Sequence, residues 1–484
     1  MSRPEIPAGP YLVVGLARSG GAAALALRER GEQVLGLDAG SPHGAAALAA
    51  AGVEIFLNEI PGVALLDRIG VVVKSPGVPA QAAVLQAARE RGIPVLGELE
   101  LAWRLLENEF VAVTGTNGKT TTVELIGHIH REAGLPVAVA GNVGTALSSL
   151  VGSLDRAATV VCEASSFQLE DTLEFAPEAA VLLNITPDHL DRHGTLAAYA
   201  AAKLEAFARQ SAEDVAVLPS DLLERLAWAG LAPTAEAGAA GDAAARPPAE
   251  GASAAVIPGK ARRVDFGWDS SASLFELDGE LWWQGRGLVA LGELRLRGRH
   301  NVENAMAAAA VCLARGIDAG AVRAGLGSFA GVAHRLEEVA ELDGVLYVND
   351  SKATNVASTL VALDAFAGRS VHLILGGQGK GQSFAALREA VQRTCAAAYL
   401  IGEDAPAIAA ALQNIGPPVY ECEDLERALA TAADAVAAGP GALDATGRSG
   451  PVVLLSPACA SFDQFADFEA RGARFRELVE KLQG

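Results

Sequence analysis

The feature that most constrains this chain is a glycine-bracketed turn between an apolar strand-like run and a strong helix former. The segment reads Phe110-Val-Ala-Val-Thr-Gly-Thr-Asn-Gly-Lys-Thr-Thr121. Backbone N–H groups of such a turn, the positive end of the following helix and a lysine charge together suit a phosphate chain. The sequence therefore predicts a nucleotide phosphate loop made of Gly115, Thr116, Asn117, Gly118, Lys119, Thr120 and Thr121.

This loop is a shortened variant of the usual phosphate-binding pattern, G-x-x-x-x-G-K-[ST]. Val113 holds the first glycine position, and Gly115 follows two residues later. The alternative interpretation of the segment is a glycine-rich turn that carries an exposed lysine and binds nothing.

Length and composition limit the class of protein. A chain of 484 residues is too long for one core, and 51% hydrophobic residues suffice for several packed interiors. The formal net charge of −20 opposes nucleic-acid binding, so phosphate sites must be local positive islands. The five cysteines are scattered, which predicts a reduced protein. The sequence has no signal-peptide core and no long apolar run, which predicts a cytoplasmic protein without a membrane span. We expect a monomer.

Three α/β domains are predicted, at residues 1–107, 108–331 and 332–484. The first is Rossmann-like, with strands at 11–16, 33–38 and 71–77 and a helix at 20–27. Its glycine loop starts at Gly15 and lacks the middle glycine of G-x-G-x-x-G, because Ala17 stands there. That glycine allows close approach of a pyrophosphate, so another nucleotide or a sugar nucleotide is favoured over a nicotinamide cofactor. A turn without ligand is the alternative.

The other two domains repeat the strand–helix pattern. In the second, strands are predicted at 159–163 and 179–184, helices at 196–209 and 301–315, and strand-like segments at 273–283 and 287–296. Residues 229–263 are rich in Ala, Gly and Pro and are predicted to form a mobile surface insertion without a catalytic role. The third domain has predicted strands at 345–348, 371–375, 398–401 and 452–455.

Polar residues follow the strands of the second domain on the side of the phosphate loop. Parallel strands end at the same edge of a sheet, so Glu163 and the segment 184–193 are expected near Lys119. Thr120 and Glu163 suit Mg²⁺, which prefers oxygen ligands and takes few from the protein. His189 is a less usual partner, and a helix-cap or core histidine is its alternative. Lys203 on its alanine-rich helix has the pattern of a solvated lysine.

Further polar turns follow later strands. Asn301 and Asn304 lie one helical turn apart and are able to bracket an adenine edge, although Asn301 also suits a helix N-cap. The segment 350–355 offers an acid, a base and hydroxyl groups in one turn, and 376–380 has the composition of an anion-binding turn. Together with 456–465, these turns indicate one edge of a site.

These segments resemble the Mur ligase family, the ATP-dependent enzymes that form amide bonds in peptidoglycan precursor synthesis, over nearly the whole chain. The segments that carry the resemblance are 114–120, 141–144, 163–168, 184–191, 298–304, 334–335, 349–355 and 455–465. The first and fifth are shared with the wider ligase family, including folylpolyglutamate synthases. The last two point to the branch that adds D-glutamate, and the Asp-Asn-Pro-Arg motif expected of a meso-diaminopimelate-adding relative is absent.

The resemblance implies a UDP-binding first domain, an ATP-binding central domain and a C-terminal domain that binds the amino acid. It implies that ATP, with Mg²⁺, drives amide formation between UDP-N-acetylmuramoyl-L-alanine and D-glutamate through an acyl phosphate. It also implies that Lys203 is carbamylated and contributes to the metal site with Thr120, Glu163 and His189. The group that deprotonates the amine stays open between His189 and a nearby acid.

The resemblance also assigns contacts residue by residue. Asn301, Asn304, Arg335, Asp350 and Lys352 are expected at ATP. The UDP-sugar substrate is expected to contact Gly15, Leu16, Ala17, Arg18, Asp38, Ser75, Gly77, Asn142, Ser165 and Gln168. D-glutamate is expected to contact Lys380, Ser461, Phe462 and Phe468.

Two other functions remain as alternatives. One is a related ligase that adds glutamate to folate, which needs no UDP pocket. The other is a nucleotide-binding regulatory protein, which would bind ATP without substrate-dependent ADP release.

Overall fold

The structure is a computed structural model that describes residues 3–42, 44–58, 63–228, 257–296, 298–379, 381–438 and 450–482. The chain forms two compact units, Met1–Phe329 and Ala330–Gly484. Two sheets lie in the first unit and one lies in the second, which confirms the predicted α/β fold class. The domain boundary between residues 107 and 108 lies within the first unit and stays a prediction.

The first sheet contains five parallel strands in the order β3-β2-β1-β4-β5. The strands are β1 (Tyr11–Val14), β2 (Val34–Asp38), β3 (Glu54–Leu57), β4 (Val71–Lys74) and β5 (Val95–Gly97). The helices are α1 (Arg18–Glu29), α2 (Ala45–Ala50), α3 (Val63–Leu66), α4 (Ala83–Glu90) and α5 (Glu98–Leu105). The strand order reverses beside β1, and ligands of such sheets bind beyond the carboxyl ends at that point.

The second sheet has nine strands in the order β14-β13-β12-β11-β10-β9-β6-β8-β7. The strands are β6 (Phe110–Thr114), β7 (Val137–Gly141), β8 (Thr159–Glu163), β9 (Ala179–Leu182), β10 (Val215–Pro219), β11 (Arg262–Gly267), β12 (Leu274–Leu277), β13 (Glu280–Trp283) and β14 (Arg286–Ala290). The helices are α6 (Lys119–Glu132), α7 (Ser166–Leu169), α8 (Leu190–His193), α9 (Leu196–Leu204), α10 (Leu222–Trp228), α11 (Arg299–Ala314) and α12 (Ala319–Ser328). Because β6 lies between β8 and β9, the residues that follow these three strands meet at one edge.

Two predicted segments of this region differ in the structure. Residues 229–256 of the predicted insertion lie outside the described residues, whereas Arg262 already begins β11, which pairs with β10. The strand-like segment 273–283 forms two antiparallel strands, β12 and β13. Asp278 and Gly279 join them with φ of 51° and 83°, as two-residue hairpin turns require.

Buried carboxylates of α5 attach the first sheet to the second within the first unit. Glu98 accepts hydrogen bonds from the backbone N–H and the hydroxyl of Ser148, each at 2.8 Å. Glu100 accepts from the backbone N–H groups of residues 173–175. Lys74, at the end of β4, forms a buried ion pair with Asp171. These contacts fix the carboxyl end of β4 relative to the central sheet.

The second unit contains a six-stranded sheet in the order β15-β16-β20-β17-β18-β19, parallel except for the β15–β16 pair. The strands are β15 (Glu337–Leu342), β16 (Val345–Asn349), β17 (Val371–Gly376), β18 (Cys395–Ile401), β19 (Val419–Glu423) and β20 (Val452–Leu455). The helices are α13 (Val356–Ala365), α14 (Leu387–Thr394), α15 (Ala405–Ala411), α16 (Leu425–Ala438) and α17 (Phe468–Lys481). Separate apolar cores cover its two faces.

All five cysteines belong to the described part of the chain, where they are buried and unpaired. Burial raises the pKa of the Cys162 thiol, which favours the protonated form. Within the described residues we find no helix with the length and apolar character needed to cross a membrane.

Candidate active site

The phosphate loop has the strand–turn–helix order that the sequence predicts. Gly115 has a φ of 151°, and a Cβ atom there would lie 2.9 Å from the Cβ of Leu183. Gly118, just before α6, has a φ of 86°, and its Cβ would lie 2.1 Å from Oδ1 of Asn304. Both positions therefore require glycine for backbone conformation and for close approach of neighbouring residues.

Two lysine side chains converge on this loop. Nζ of Lys119 donates to the carbonyl oxygens of Gly115 and Thr116 at 3.0 and 2.9 Å, and Nζ of Lys203 donates to the Gly115 carbonyl at 2.7 Å. Lys203 is only 1% exposed, so its interpretation as a solvated lysine is wrong. Burial, followed by the nearby charge of Lys119, lowers the pKa of Lys203 well below its usual value, while Asp188 and Glu163 oppose that shift.

Glu163 connects the phosphate loop to the first sheet. Its Oε2 accepts a hydrogen bond from the hydroxyl of Thr120 at 2.8 Å, and its Oε1 accepts from the amide of Asn142 at 3.2 Å. The guanidinium of Arg18, at the start of α1, donates to the carbonyl of Asn142 at 3.2 Å. Residues predicted separately for the UDP substrate and for ATP thus form one continuous chain of contacts.

The oxygen atoms beside Thr120 fit a hard divalent cation. Within the described ranges, three or more His, Cys, Asp or Glu side chains nowhere group closely enough to hold a metal ion by themselves. Mg²⁺ commonly takes one or two protein oxygens and completes its octahedron with phosphate and water oxygens. The Thr120 hydroxyl and the Glu163 carboxylate, which touch each other next to the loop, match that limited donor set.

His189 occupies the N-cap position of α8 with a φ of 51°, but its side chain makes no capping hydrogen bond. Its Nε2 lies 3.5 Å from Oδ2 of Asp188, and its ring centroid lies 4.8 Å from that of Phe167. The side chain is about half exposed, so the core interpretation is wrong. The structure leaves the imidazole accessible to a ligand.

Tyr199 neighbours both His189 and Lys203, and the sequence interpretation missed it. Its hydroxyl donates to Oγ1 of Thr116 at 3.3 Å, and Nζ of Lys203 lies 4.3 Å from its ring centroid. The His189 ring centroid lies 6.3 Å away. Tyr199 precedes Lys203 by four residues and therefore shares its helix face, which is the only sequence signal that links the two residues.

The carboxyl ends of β1, β2 and β4 bring together the residues predicted for UDP. Asp38 accepts hydrogen bonds from the backbone N–H groups of Leu16, at 2.6 Å, and Gly40, at 2.8 Å. A Cβ on Gly15 would lie 2.9 Å from the Cβ of Ser75, so this loop and the Ser75–Gly77 turn adjoin. Ala17 is the N-cap residue of α1.

Ser165 and Gln168 form a helix capping box at the start of α7. The Ser165 hydroxyl accepts from the backbone N–H of Gln168, whose side-chain oxygen accepts from the backbone N–H of Ser165. Their side chains therefore shape the turn after β8. Their contact with a substrate stays a prediction.

The paired amides of α11 face the phosphate loop. The helix begins at Arg299, so Asn301 lies within the first turn and its interpretation as an N-cap is wrong. The Asn304 amide donates to Oδ1 of Asn301 at 3.2 Å, and Oδ1 of Asn304 lies beside Gly118. This position suits contact with a nucleotide base whose phosphates occupy the loop.

In the second unit, Asp350 is the central acidic residue. Its carboxylate accepts from the hydroxyl of Ser456 at 2.7 Å and from the backbone N–H of Leu336 at 3.2 Å. Burial raises the pKa of Asp350 to about 7, although these two hydrogen bonds and the charges of Arg335 and Lys352 oppose the shift.

The residues predicted for D-glutamate differ in their surroundings. Ser461 is buried, Phe462 is 61% exposed, and Phe468 is the first residue of α17. Lys380 lies outside the described residues. The sequence interpretation missed Arg471, whose fully buried guanidinium donates to the carbonyls of Ser351 and Cys459 at 2.9 and 3.0 Å.

Comparison with known proteins assigns the family. Residues 113–312 match the model of the Mur ligase middle domain, and residues 334–459 match that of the Mur ligase, glutamate ligase domain. A UDP-N-acetylmuramoylalanine--D-glutamate ligase of Anaeromyxobacter dehalogenans is 43% identical over 99% of this chain and 99% of its own length. The chain belongs to the Mur ligase family. The same-named protein of Pelotomaculum thermopropionicum is 40% identical over 98% of this chain and 97% of its own length.

Solved structures of Mur ligases share the fold. The UDP-N-acetylmuramate-alanine ligase of Thermotoga maritima matches with a TM-score of 0.54 and 20% identity, covering 98% of this chain and 99% of that one. MurF of Acinetobacter baumannii matches with a TM-score of 0.55 and 16% identity, covering 93% of this chain and 92% of that one. Mur ligases generally use ATP and Mg²⁺, which agrees with the phosphate loop and the oxygen donors beside it.

Proposed function

We propose that this Mur ligase joins D-glutamate to UDP-N-acetylmuramoyl-L-alanine, with hydrolysis of ATP to ADP and phosphate, in peptidoglycan precursor synthesis. The observation that carries the proposal is full-length identity of 40–43% to proteins named for this activity. The contacts that run from Arg18 through Asn142 and Glu163 to Thr120 support it, because they join a sugar-nucleotide crevice to a phosphate loop. Localisation in the cytoplasm and a monomeric state are part of the same proposal.

The reaction has two steps. The alanyl carboxylate attacks the γ-phosphorus of ATP, ADP leaves, and an acyl phosphate forms. The D-glutamate amine then attacks the acyl carbon, loses a proton, and inorganic phosphate leaves. Lys119, at the start of α6, stabilises the charge that spreads over the transferring phosphoryl group, which is the main way a protein accelerates such transfers. His189 and a nearby acid are the candidates that accept the amine proton.

Bound Mg²⁺ would supply Lewis-acid neutralisation of phosphate charge. Thr120 and Glu163 are the residues that we assign to hold it, with His189 and Lys203 beside them. Thr120 and Glu163 supply oxygen atoms, as the ion prefers.

We assign a carbamate to Lys203. Its low pKa favours the neutral amine, which adds to CO₂ to give an N-carboxylate and one released proton. An unmodified, protonated lysine at about 4 Å from a unit positive charge would be repelled by roughly 4 kcal/mol at an effective dielectric of 20, and more by a divalent ion. The carbamate reverses that sign, and its nitrogen keeps an N–H for the Gly115 carbonyl.

The Lys203→Ala variant tests this assignment. We expect it to lose most activity, because both the anionic ligand and the contact with Gly115 disappear, and we expect small carboxylates in the buffer to restore part of the activity. The control is Lys260→Ala at an exposed lysine, which should keep wild-type turnover. Wild-type turnover of Lys203→Ala without added carboxylate contradicts the assignment.

The function itself is tested by phosphate release with UDP-N-acetylmuramoyl-L-alanine. D-glutamate should stimulate release and L-glutamate should not. The Lys119→Ala variant should abolish ADP release while binding of the UDP substrate survives. If neither enantiomer stimulates release, the proposal fails, and release that instead depends on L-glutamate and a pterin favours the folate alternative.

A further inference from the structure

Asn349 is a fully buried amide at the end of β16 that contacts three different segments of the second unit. Its Nδ2 lies 3.0 Å from Nδ1 of His334, 3.0 Å from Oε2 of Glu337 and 3.2 Å from the carbonyl oxygen of Gly472. Its Oδ1 accepts from the backbone N–H of Ser351 at 3.2 Å.

The surrounding acceptors determine how the amide is oriented. The Glu337 carboxylate and the Gly472 carbonyl accept hydrogen bonds, so the amide group that faces them must be the NH₂. Nδ1 of His334 lies against the same NH₂ group, and its Nε2 lies 3.4 Å from Nη2 of Arg476, which only donates. A Cβ on Gly472 would lie 2.1 Å from Nδ1 of His334, so the ring packs directly on the backbone of α17. Asn349 and the backbone of Gly472 therefore hold the position of this ring.

Each segment that meets at Asn349 also carries a predicted ligand contact. His334 precedes Arg335, and its carbonyl accepts from the backbone N–H of Lys352 at 3.0 Å. The hydroxyl of Ser351 donates to the carbonyl of Phe468 at 2.8 Å. The contacts predicted for ATP and the contact predicted for D-glutamate are thus linked through the same buried junction.

We propose that Asn349 is a positioning residue that holds the 334–336 loop, the 350–352 turn and the start of α17 in one arrangement, so that the ATP and D-glutamate contacts of this unit are set together. The inference rests on the proposed function. It goes beyond that function in assigning a shared support to two ligands. Asn349 itself touches neither ligand in this assignment and acts through its neighbours.

The main experiment compares the Asn349→Ala variant with the wild-type enzyme in steady-state kinetics, varying one substrate at a time. We expect the KM values for ATP and for D-glutamate each to rise about tenfold or more, which corresponds to about 1.4 kcal/mol per factor of ten. The KM for the UDP substrate, whose predicted contacts lie in the first unit, should stay unchanged. A purely structural defect would lower the active fraction, and hence kcat, without this selective rise.

The matched control is Asn108→Ala. Asn108 is also buried, and its amide donates to the carbonyls of Asp155 and Ala158 at 2.8 Å each, in the first unit. This variant should lose a comparable amount of stability in thermal melting while its KM values for ATP and D-glutamate stay at the wild-type level. Equal KM changes in the two alanine variants would overturn the inference.

A charge-matched pair of variants decides the question if Asn349→Ala fails to fold. Asn349→Asp places a carboxylate against that of Glu337, and we expect the same rise in both KM values. Adding Glu337→Gln restores a donor between the two side chains and should lower both KM values part of the way back toward the wild-type level. If the KM values for ATP and D-glutamate stay as high in the double variant as in Asn349→Asp, the inference is overturned. A fall of both KM values toward the wild-type level supports it.

Failure of the inference is distinguishable from failure of the proposed function. If wild-type protein shows no D-glutamate-dependent phosphate release, the proposed function fails, whatever the variants do. If the wild-type enzyme is active and Asn349→Ala keeps both KM values, only the positioning role is overturned.

Discussion

Gly118 is the position at which the phosphate loop depends most sharply on the absence of a side chain. With a φ of 86°, an alanine would hold a left-handed backbone conformation that costs roughly 1–2 kcal/mol. Its Cβ would also lie 2.1 Å from Oδ1 of Asn304, so that buried amide must move. Movement breaks the 3.2 Å hydrogen bond from Asn304 to Asn301, worth about 0.5–1.5 kcal/mol. We expect Gly118→Ala to lose about 2–4 kcal/mol of unfolding free energy, from these two costs and residual strain.

A matched control lies at the other end of the same helix. Gly134 follows α6 with a φ of 68°, but among the described residues no heavy atom outside its chain neighbours would lie within 4 Å of its Cβ. Gly134→Ala therefore carries the backbone cost alone, about 1–2 kcal/mol. The difference between the two variants isolates the collision with Asn304.

The assay is urea denaturation of both variants, each also combined with Asn304→Ala, together with the KM for ATP. In the Asn304→Ala background the collision is gone, so Gly118→Ala should cost no more than Gly134→Ala. In the wild-type background Gly118→Ala should also raise the KM for ATP, because Asn304, which is predicted to contact adenine, moves. Equal costs of Gly118→Ala and Gly134→Ala in both backgrounds would refute the reasoning.

Two further predictions concern buried charges. Lys74→Met leaves the Asp171 carboxylate buried without its partner and should lower the unfolding free energy by about 3–5 kcal/mol, measured by urea denaturation. Arg68→Ala, in the exposed pair with Glu54, should change it by no more than about 1 kcal/mol, and a similar loss in both variants would contradict the prediction. At Asp350 the folded pKa is raised from 3.8 to about 7, so the unfolded chain releases its proton first and wild-type stability falls as pH rises through that window. Asp350→Asn should remove this fall in denaturation series across that pH range, and an unchanged slope would contradict it.

The strands that the sequence predicted best are continuous apolar runs in the middle of parallel sheets. Thr159–Glu163 and Val452–Leu455 have the predicted bounds, because almost every residue of such a strand is buried on either face. The strand-like segment 273–283 contains an Asp-Gly pair, which is a hairpin signal, and it forms two antiparallel strands joined at that pair. Edge strands such as Val419–Glu423, where most side chains remain partly or fully exposed, lack that apolar signal.

The candidate site also contains residues that the local sequence predicts and residues that only the tertiary structure reveals. The loop around Lys119 was predictable because local sequence determines a strand, a glycine turn and a helix start. The burial of Lys203 was not predictable, because the sequence of its helix is ordinary. Lys203 is buried against Gly115, which is distant in the sequence, and against Tyr199, which lies one helical turn earlier. Arg471 shows the same limit. Arg474 and Arg476 lie on the same helix and pair with glutamates, and only tertiary structure places Arg471 among buried carbonyls.

Glu163 links the phosphate loop to the residues that are predicted to contact the UDP-sugar substrate in the first unit. A carboxylate has two oxygens, and here one accepts from the Thr120 hydroxyl while the other accepts from the Asn142 amide. If a cation draws Oε2 toward the phosphate loop, the geometry at Oε1 changes with it, because the group is rigid and planar. Asn142 in turn accepts a hydrogen bond from Arg18, at the beginning of α1, beside the residues predicted to contact UDP. We therefore expect that a cation bound at Thr120 and Glu163 changes the hydrogen bonds of Asn142 and Arg18, which lie beside the predicted UDP contacts.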